Sequence, residues 1–413
     1  MRLFRVIMAG LFAAGLAGGL AAQTAAPAGD AMPGVFRAGA VAAAGRIEDF
    51  RLMQTQDGAA YLFVIEDGRL RVFRGGGSGG FAEFSPDPAL PPLNGGVRDL
   101  RLFDEPPLQY AAFIARGEDG EGIYVLGIDL EGALRYYPAP ELRGFAGITE
   151  YRLAASVYSG AAVYVLAEGQ LSCIANFCAG EDSEEAPVRQ LISRSGERID
   201  SPGGAFEVLR EAAYPLGRGW ITAAQEGGRE LSFFALGEDL LLRREAAGFF
   251  EGEISVEAGI DGEGMSYFAV AHGEDFSLYR GDGGAFRREQ NPSLAGWNGG
   301  EAAAQKPAEW LSTWLLLCAW GFEPARACYL IPQTGELAAG IHRGGNFEIL
   351  RRQNLEEAAG LIPGGEAEYR KSPVVNRMLY LAALRGEQIE LYRVTAPGTP
   401  LPGGTEAGAG GQS

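Results

Sequence analysis

The sequence predicts an all-β protein in which one small antiparallel sheet is repeated along the chain. Two observations predict it. From Gly34 to Thr395, short apolar and aromatic runs alternate with turns of Gly, Asp, Glu and Pro, and helical periodicity is confined to short Ala/Glu-rich stretches such as Glu301–Glu309. Glycine makes up 62 of 413 residues with no collagen period, which suits many tight turns joining short strands.

The chain opens with a different kind of segment. Arg2 and Arg5 are followed by the uncharged run Val6–Leu20, then by the small residues Ala21 and Ala22. This pattern predicts a secretory signal over residues 1–22, cleaved after Ala21 or Ala22, and hence a periplasmic or secreted product. The run falls short of the roughly 20 residues that span a bilayer. The most apolar later segment, Trp310–Trp320, is flanked by Glu309 and Glu323 and reads as a buried strand, so no stable membrane insertion is expected. Residues 23–33 and 396–413 are poor in large apolar side chains and are expected to be disordered, leaving 34–395 as one domain.

Within that domain a unit of two or three strands recurs. It reads Phe50–Gln54, Ala59–Ile65, Arg69–Arg74, then Leu108–Ala115, Ile123–Ile128, Ala133–Tyr137, then Tyr151–Tyr158, Ala162–Leu166, Gln170–Phe177. The fourth is Gly219–Ala224, Glu230–Leu236, Leu240–Arg244, and the fifth Met265–Ala271, Phe276–Arg280, Ala285–Arg288. The sixth is Trp314–Trp320, Ala327–Ile331, Leu337–His342. The seventh, Arg377–Leu384 and Gln388–Val394, lacks a third strand. Ala179–Pro202 and Gln290–Glu309 read as insertions.

Units of about 50 residues, each too small to bury its own faces, resemble the β-propeller class. The resemblance implies a seven-bladed ring, with six or eight blades under other groupings and a β-sandwich as the competing architecture. It also implies that Val35–Val41 closes the ring by pairing with the last unit. Neither the Gly-His…Trp-Asp signature of WD repeats nor kelch-type double glycines are present, so the resemblance is to an architecture that hosts many functions.

Charge narrows those functions. Removal of Arg2 and Arg5 with the signal takes the formal charge from −18 to −20, which argues against nucleic acid and anionic membranes as partners. A protein or glycan partner and a monomeric state are expected. Four cysteines in an exported chain predict two local disulfides, Cys173–Cys178 and Cys318–Cys328.

Catalytic patterns are sparse. There is no Gly-x-Ser-x-Gly elbow and no Lys-Ser/Thr after the Gly-rich run Arg74–Gly80. His272 and His342 are the two histidines, both at strand ends beside glycines or charged residues, and a shared metal site has no spacing to support it. The Asp-Gly-Glu-Gly turns at Asp119 and Asp261, with the acidic run Glu181–Glu185, offer oxygens to Ca2+ but match no calcium-loop pattern, so no cofactor is expected. Arg280-Gly281-Asp282 is too short a match to carry meaning. Trp297 stands apart: a large ring in the polar loop Ala295–Gly300 suits a binding anchor. The expectation is an exported binding or scaffold module whose contact residues include Trp297, His272 and His342. The alternatives are a hydrolase or lyase on a carbohydrate or lactone, and a purely structural envelope protein.

Overall fold

The computed structural model describes residues 33–395 apart from 76–79, 106–107, 130–131, 157–159, 176–187, 193–197, 200–205, 211–219, 226–229, 237–241, 250–253, 261–265, 273–274, 282–285, 289–313, 320–324, 332–333, 344–345, 373–374 and 376–377. In several strands, chiefly between 188 and 276, it describes the backbone alone. The described residues form seven antiparallel sheets that follow one another along the chain.

The first sheet runs outward through Ile47–Gln54, Ala60–Glu66, Arg69–Gly75 and Phe81–Glu83. The second comprises Arg98–Glu105, Leu108–Gly117 and Gly120–Ile128, with Leu134–Tyr137 and Arg143–Phe145 both paired to Gly120–Ile128. The third is Ile148–Ser156, Gly160–Ala167, Gln170–Ala175, Val188–Ile192 and Arg198–Ile199, and the fourth Phe206–Arg210, Trp220–Gln225, Glu230–Leu236 and Leu242–Phe249. The fifth is Ile254–Ile260, Ser266–His272, Asp275–Gly281 and Phe286–Arg288, and the sixth Trp314–Ala319, Ala325–Ile331, Glu336–Arg343 and Asn346–Asn354. The seventh contains Glu368–Lys371, Met378–Arg385 and Gln388–Thr395 and takes its outermost strand, Gly34–Ala42, from the start of the chain. That strand pairs antiparallel along Gln388–Thr395, with Val35 opposite Val394 and Val41 opposite Ile389, as the count of units predicts.

The second strand of a sheet is apolar on both faces because both faces are covered. In Ala60–Glu66, Tyr61, Phe63 and Ile65 pack with Phe113 and Tyr124 of the second sheet, while Leu62 and Val64 pack with Tyr380 and Ile389 of the seventh. In Met378–Arg385, Tyr380 and Ala382 share that contact with the first sheet, and Leu379 and Leu381 turn to Leu330 and Leu337 of the sixth. Ala112 and Ile114 carry the second sheet onto Tyr151 and Val163 of the third. The last sheet thus packs against the first, and successive small sheets close into a ring: the fold is a β-propeller.

The first strands form the inner edge. Glu368–Lys371 touches Ile47–Gln54, which touches Arg98–Glu105, then Ile148–Ser156, then Phe206–Arg210. Tight turns join the strands within a sheet. At Asp67-Gly68 both residues have positive φ, 48° and 67°, the backbone that two-residue hairpin turns require and that glycine adopts without penalty.

The structure corrects the grouping of several units. The second, fourth, fifth and seventh begin one strand too late, at the second strand of the sheet, because Arg98–Glu105, Phe206–Arg210, Ile254–Ile260 and Glu368–Lys371 precede them. Asn346–Asn354 completes the sixth, and part of the segment read as an insertion, Ala179–Pro202, forms the strands Val188–Ile192 and Arg198–Ile199. Most of these are edge strands with one side unpaired. Several carry alternating charge, as in Arg-Asp-Leu-Arg-Leu-Phe-Asp-Glu at 98–105, which hides them from an apolar-run search. The Gln290–Glu309 segment, the signal, and residues 23–32 and 396–413 of the two predicted disordered ends lie outside the described residues.

Candidate functional site

The inner edge carries a repeated chemical pattern. Asp49-Phe50-Arg51, Asp99-Leu100-Arg101, Glu150-Tyr151-Arg152 and Glu368-Tyr369-Arg370 each place an acid, a large apolar residue and an arginine on the first strand of a sheet. In a strand, residues two apart share a face, so acid and arginine point to one side and the middle residue to the other. Arg51 Nη1 lies 2.8 Å from Asp49 Oδ1, Arg101 Nη2 lies 2.9 Å from Asp99 Oδ1, and Arg370 pairs with Glu368. Three of the arginines donate Nη1 to the carbonyl of the residue before them: Arg51 to Phe50 at 3.1 Å, Arg152 to Tyr151 at 2.8 Å and Arg370 to Tyr369 at 3.0 Å.

The pattern also joins neighbouring sheets. The middle residue faces the preceding sheet, and the preceding sheet's arginine reaches over it. Arg370 lies 5.3 Å from the centre of the Phe50 ring, and Arg101 lies 5.5 Å from that of Tyr151. Tyr151 is fully buried, and its hydroxyl, with one proton to donate, lies between two carbonyl acceptors, Asp99 O at 2.6 Å and Ala112 O at 2.5 Å. Burial pushes that phenol well above its ordinary range. A bulge precedes the motif in the first and third sheets, between Ile47 and Asp49 and between Ile148 and Glu150, and it recurs in the fourth between Phe206 and Val208. Arg210 therefore occupies the register position of Arg51 and Arg152, with Val208 where they have an acid.

Electrostatics couple these groups around the ring. Burial raises the Asp49 carboxyl against the pull of Arg51 and of Arg370, whose Nη2 is 3.9 Å from the same Oδ1. Burial also lowers Arg51, and the positive charges of Arg370 and Arg101 on its two sides push it further down against the pull of Asp49. Lys371 ends the strand Glu368–Lys371, and desolvation lowers its ammonium below the ordinary lysine range. Beside it, Ser372 Oγ donates to Gln54 Oε1 at 3.0 Å and accepts from Tyr380 N at 2.9 Å, while Gln109 Nε2 donates to Gln54 O. This buried polar link ties the seventh, first and second sheets at one point.

The residues singled out from sequence do not gather here. Trp297 lies outside the described residues. His272 ends the second strand of the fifth sheet, opposite Ile254 and Asp275. His342 lies near the end of the third strand of the sixth sheet, opposite Ala325 and Phe347. Successive turns of an antiparallel sheet fall at opposite ends, so the two histidines occupy opposite ends of their sheets. Glu121, in the first Asp-Gly-Glu-Gly turn, joins the second and third sheets: Oε1 is 2.8 Å from Arg98 and Oε2 accepts from Ile148 N at 3.0 Å. Asp261 and Glu181–Glu185 lie outside the described residues. Among the described residues no three His, Cys, Asp or Glu side chains come together as a metal site.

The expected Cys318–Cys328 bridge is not formed. Cys318 stands opposite Ala327 and Cys328 opposite Leu317, so the two are not register partners, and Cys328 is a thiol. Cys328 is a buried thiol, pushed up to about 12 by that burial. Cys173 is also a buried thiol, and Cys178 lies outside the described residues.

The acid–apolar–arginine motif was legible as a repeat. Asp49, Asp99 and Glu150 follow one another at steps of 50 and 51 residues. A search built on apolar runs passes over it, because the signal is a charged pair flanking a single apolar residue.

No family model matches the chain, and no curated protein matches it. Solved structures do. A putative 6-phosphogluconolactonase from Bacteroides fragilis is 13% identical over 80% of this chain and 97% of its own, with a TM-score of 0.42. The periplasmic gluconolactonase of Pseudomonas aeruginosa is 12% identical over 77% and 86%, with a TM-score of 0.41. The SapL1 lectin, solved with alpha methyl fucoside, is 10% identical over 77% and 97%, with a TM-score of 0.38. These are likenesses of architecture; the fold itself rests on the sheet order and the closure of the ring.

Proposed function

We propose that this chain is an exported propeller that holds a ligand without transforming it, as a recognition or scaffold module. The observation that carries the reading is the state of the inner-edge charges. Asp49, Asp99 and Glu368 are each paired with the arginine two residues on, and Arg370 and Arg101 are stacked on the ring of the next sheet. Groups held in this way present a fixed polar surface, whereas general acid–base work wants a carboxyl or imidazole poised to exchange its proton. Export rests on the pattern of residues 1–22, and Trp297 in its glycine-rich loop is a second contact on sequence grounds. Among the described residues no helix is long and apolar enough to cross a membrane.

The test pairs binding with turnover. The mature chain is screened by thermal shift against carboxylates, phosphates and neutral sugars, and the same panel, extended with lactones and aryl glycosides, is assayed for product. Stabilisation without turnover is the expected result. Turnover of a lactone or glycoside that Asp49→Asn abolishes would move the chain to the enzyme reading. Stabilisation by no member, with no turnover, would favour a purely structural role.

A further inference from the structure

The chain crosses from the seventh sheet to the first through residues 43–46, which leave the outermost strand Gly34–Ala42 and enter the innermost strand Ile47–Gln54. Both sheets hold this crossing at a tight turn. On the seventh, Ala43 N donates to Glu387 O at 2.8 Å, in the turn between Met378–Arg385 and Gln388–Thr395. On the first, Gly45 N donates to the Glu66 carboxylate and Arg46 N donates to Asp67 Oδ1 at 3.2 Å. Asp67 N returns a bond to Arg46 O at 3.1 Å. Gly45 lies so close to the Asp67 carboxylate that a side chain there would overlap it.

Glu66 is buried, and besides the Gly45 amide it accepts from Arg71 Nη1 at 2.8 Å. Arg71 extends the pairing to Glu83, at 3.1 Å through both Nε and Nη2. Glu83 belongs to the outermost strand Phe81–Glu83, which touches Gly34–Ala42. One charged chain thus runs from the crossing to the edge of the first sheet. The closing strand has little else to hold it. Of its nine residues only Val35 and Val41 are buried, and its register slips between Arg37 and Gly39. Arg37 meets Glu390 at 3.4 Å, and Glu390 is shared with Arg385 at 3.0 Å. A strand with two buried side chains opens at lower cost than the second strands, which are apolar on both faces.

We propose that residues 43–46 form an acid-released latch. With Glu66 ionised, the crossing is fastened to the first sheet and Gly34–Ala42 stays closed on Gln388–Thr395; with Glu66 protonated, that strand opens while the rest of the ring stays folded. The latch is independent of what the protein binds. Protonation removes the partner charge of Arg71 and weakens the acceptor that the Gly45 amide meets, because a charged acceptor makes the stronger bond. The groups facing the Glu66 carboxyl are Arg71, Glu83 beyond it, and the amides of Ala44 and Gly45. The hydrogen bond from Arg71 is the largest influence and holds the carboxyl below the ordinary glutamate range, against burial. A folded value below the unfolded one gives stability that is present above the unfolded value and lost as pH falls through the folded one. The latch is therefore closed at neutral pH and released in acid.

Hydrogen exchange of the mature chain, read by mass spectrometry and corrected for the intrinsic pH dependence of exchange, tests the latch. Glu66→Gln keeps the shape of the side chain and removes its charge. At neutral pH it is expected to reduce the protection of residues 34–42 about ten-fold and to leave that of Gly160–Ala167, in the third sheet, unchanged. Glu83→Gln removes the exposed side of the same pairing and is expected to leave both as in the parent. In the parent, protection of residues 34–42 should fall ahead of that of Gly160–Ala167 as the pH is lowered from about 6 to about 3, and Glu66→Gln should lack that early fall. Equal protection of residues 34–42 in Glu66→Gln and the parent, or a loss shared by Gly160–Ala167, overturns the proposal. So does an early fall that Glu66→Gln retains in full, or one absent from the parent.

Discussion

Arg370 of the seventh sheet lies 5.3 Å from the ring centre of Phe50 in the first, at the junction where the end of the chain meets its beginning. The same contact joins Arg101 to Tyr151 between the second and third sheets, at 5.5 Å. Between the first and second sheets the ring is replaced by Leu100, so the fold tolerates an aliphatic residue in this position. Phe50→Leu is therefore expected to fold with a modest loss, about 1–2 kcal/mol from the ring's cation–π contact and packing. Phe50→Ala should cost about 3–5 kcal/mol, because Phe50 is fully buried. Urea unfolding of both variants checks the ordering, and equal losses would contradict the role given to the ring.

Gly34–Ala42 completes the seventh sheet from the other end of the chain. Deleting residues 23–42 should expose the strand Gln388–Thr395 along its length and uncover Tyr392 and Val394, lowering the melting temperature by many degrees and promoting association through the open edge. A melting temperature unchanged by the deletion would show that the closure carries no stability.

Arg385 bridges two carboxylates, pairing with Glu356, which is 2% exposed, and with Glu390 at 3.0 Å. Glu356 also accepts from Gly364 N and so pins the loop after the short helix Leu355–Ala358. Arg385→Ala leaves a buried carboxylate without its cation and should cost about 3–5 kcal/mol. Removing both charges with Arg385→Met and Glu356→Gln should recover part of that loss. A double variant no better than the single would place the cost in packing.

Alkaline pH should unfold the protein earlier than ordinary tyrosine and cysteine ionisation predicts. Tyr392 is pushed up to about 12, first by burial and then by the Glu390 carboxylate beside its hydroxyl, and burial pushes Cys328 up to about 12. A folded-state value above the unfolded one means stability that is complete below the unfolded value and is lost as pH rises through the folded one. Urea midpoints should hold level to about pH 9 and fall between about pH 9 and 12. Tyrosinate absorbance in the folded protein should lag behind that of the unfolded chain. Complete tyrosine ionisation by about pH 10.5 without unfolding would contradict these burials.

Cys328 should resist alkylation in the native protein and react at once in denaturant, since its thiol is buried and its thiolate suppressed. Native modification at neutral pH would show that the sheet bearing Cys328 opens.

Much of the fold was legible because a strand covered on both faces must be apolar at every position. Ala60–Glu66 and Met378–Arg385 are runs of that kind and stand out in the sequence. Glu368–Lys371 and Arg98–Glu105 do not, because an edge strand has one side open and keeps charge there. The expected cysteine bridge failed for a different reason: sequence spacing puts Cys318 and Cys328 in adjacent strands, but the register pairs Cys318 with Ala327 and Cys328 with Leu317.

By itself, then, the sequence determined an all-β chain of repeated small sheets and the need for the first strand to close the last sheet. These follow from local rules of burial and turn chemistry and from counting strands. Only the tertiary structure decided which charged residues matter. Acid and arginine two apart on one strand become a junction between sheets only when ring closure lays Arg370 over Phe50 and Arg101 over Tyr151. Those relations join residues far apart in the chain, and nothing in local composition specifies them.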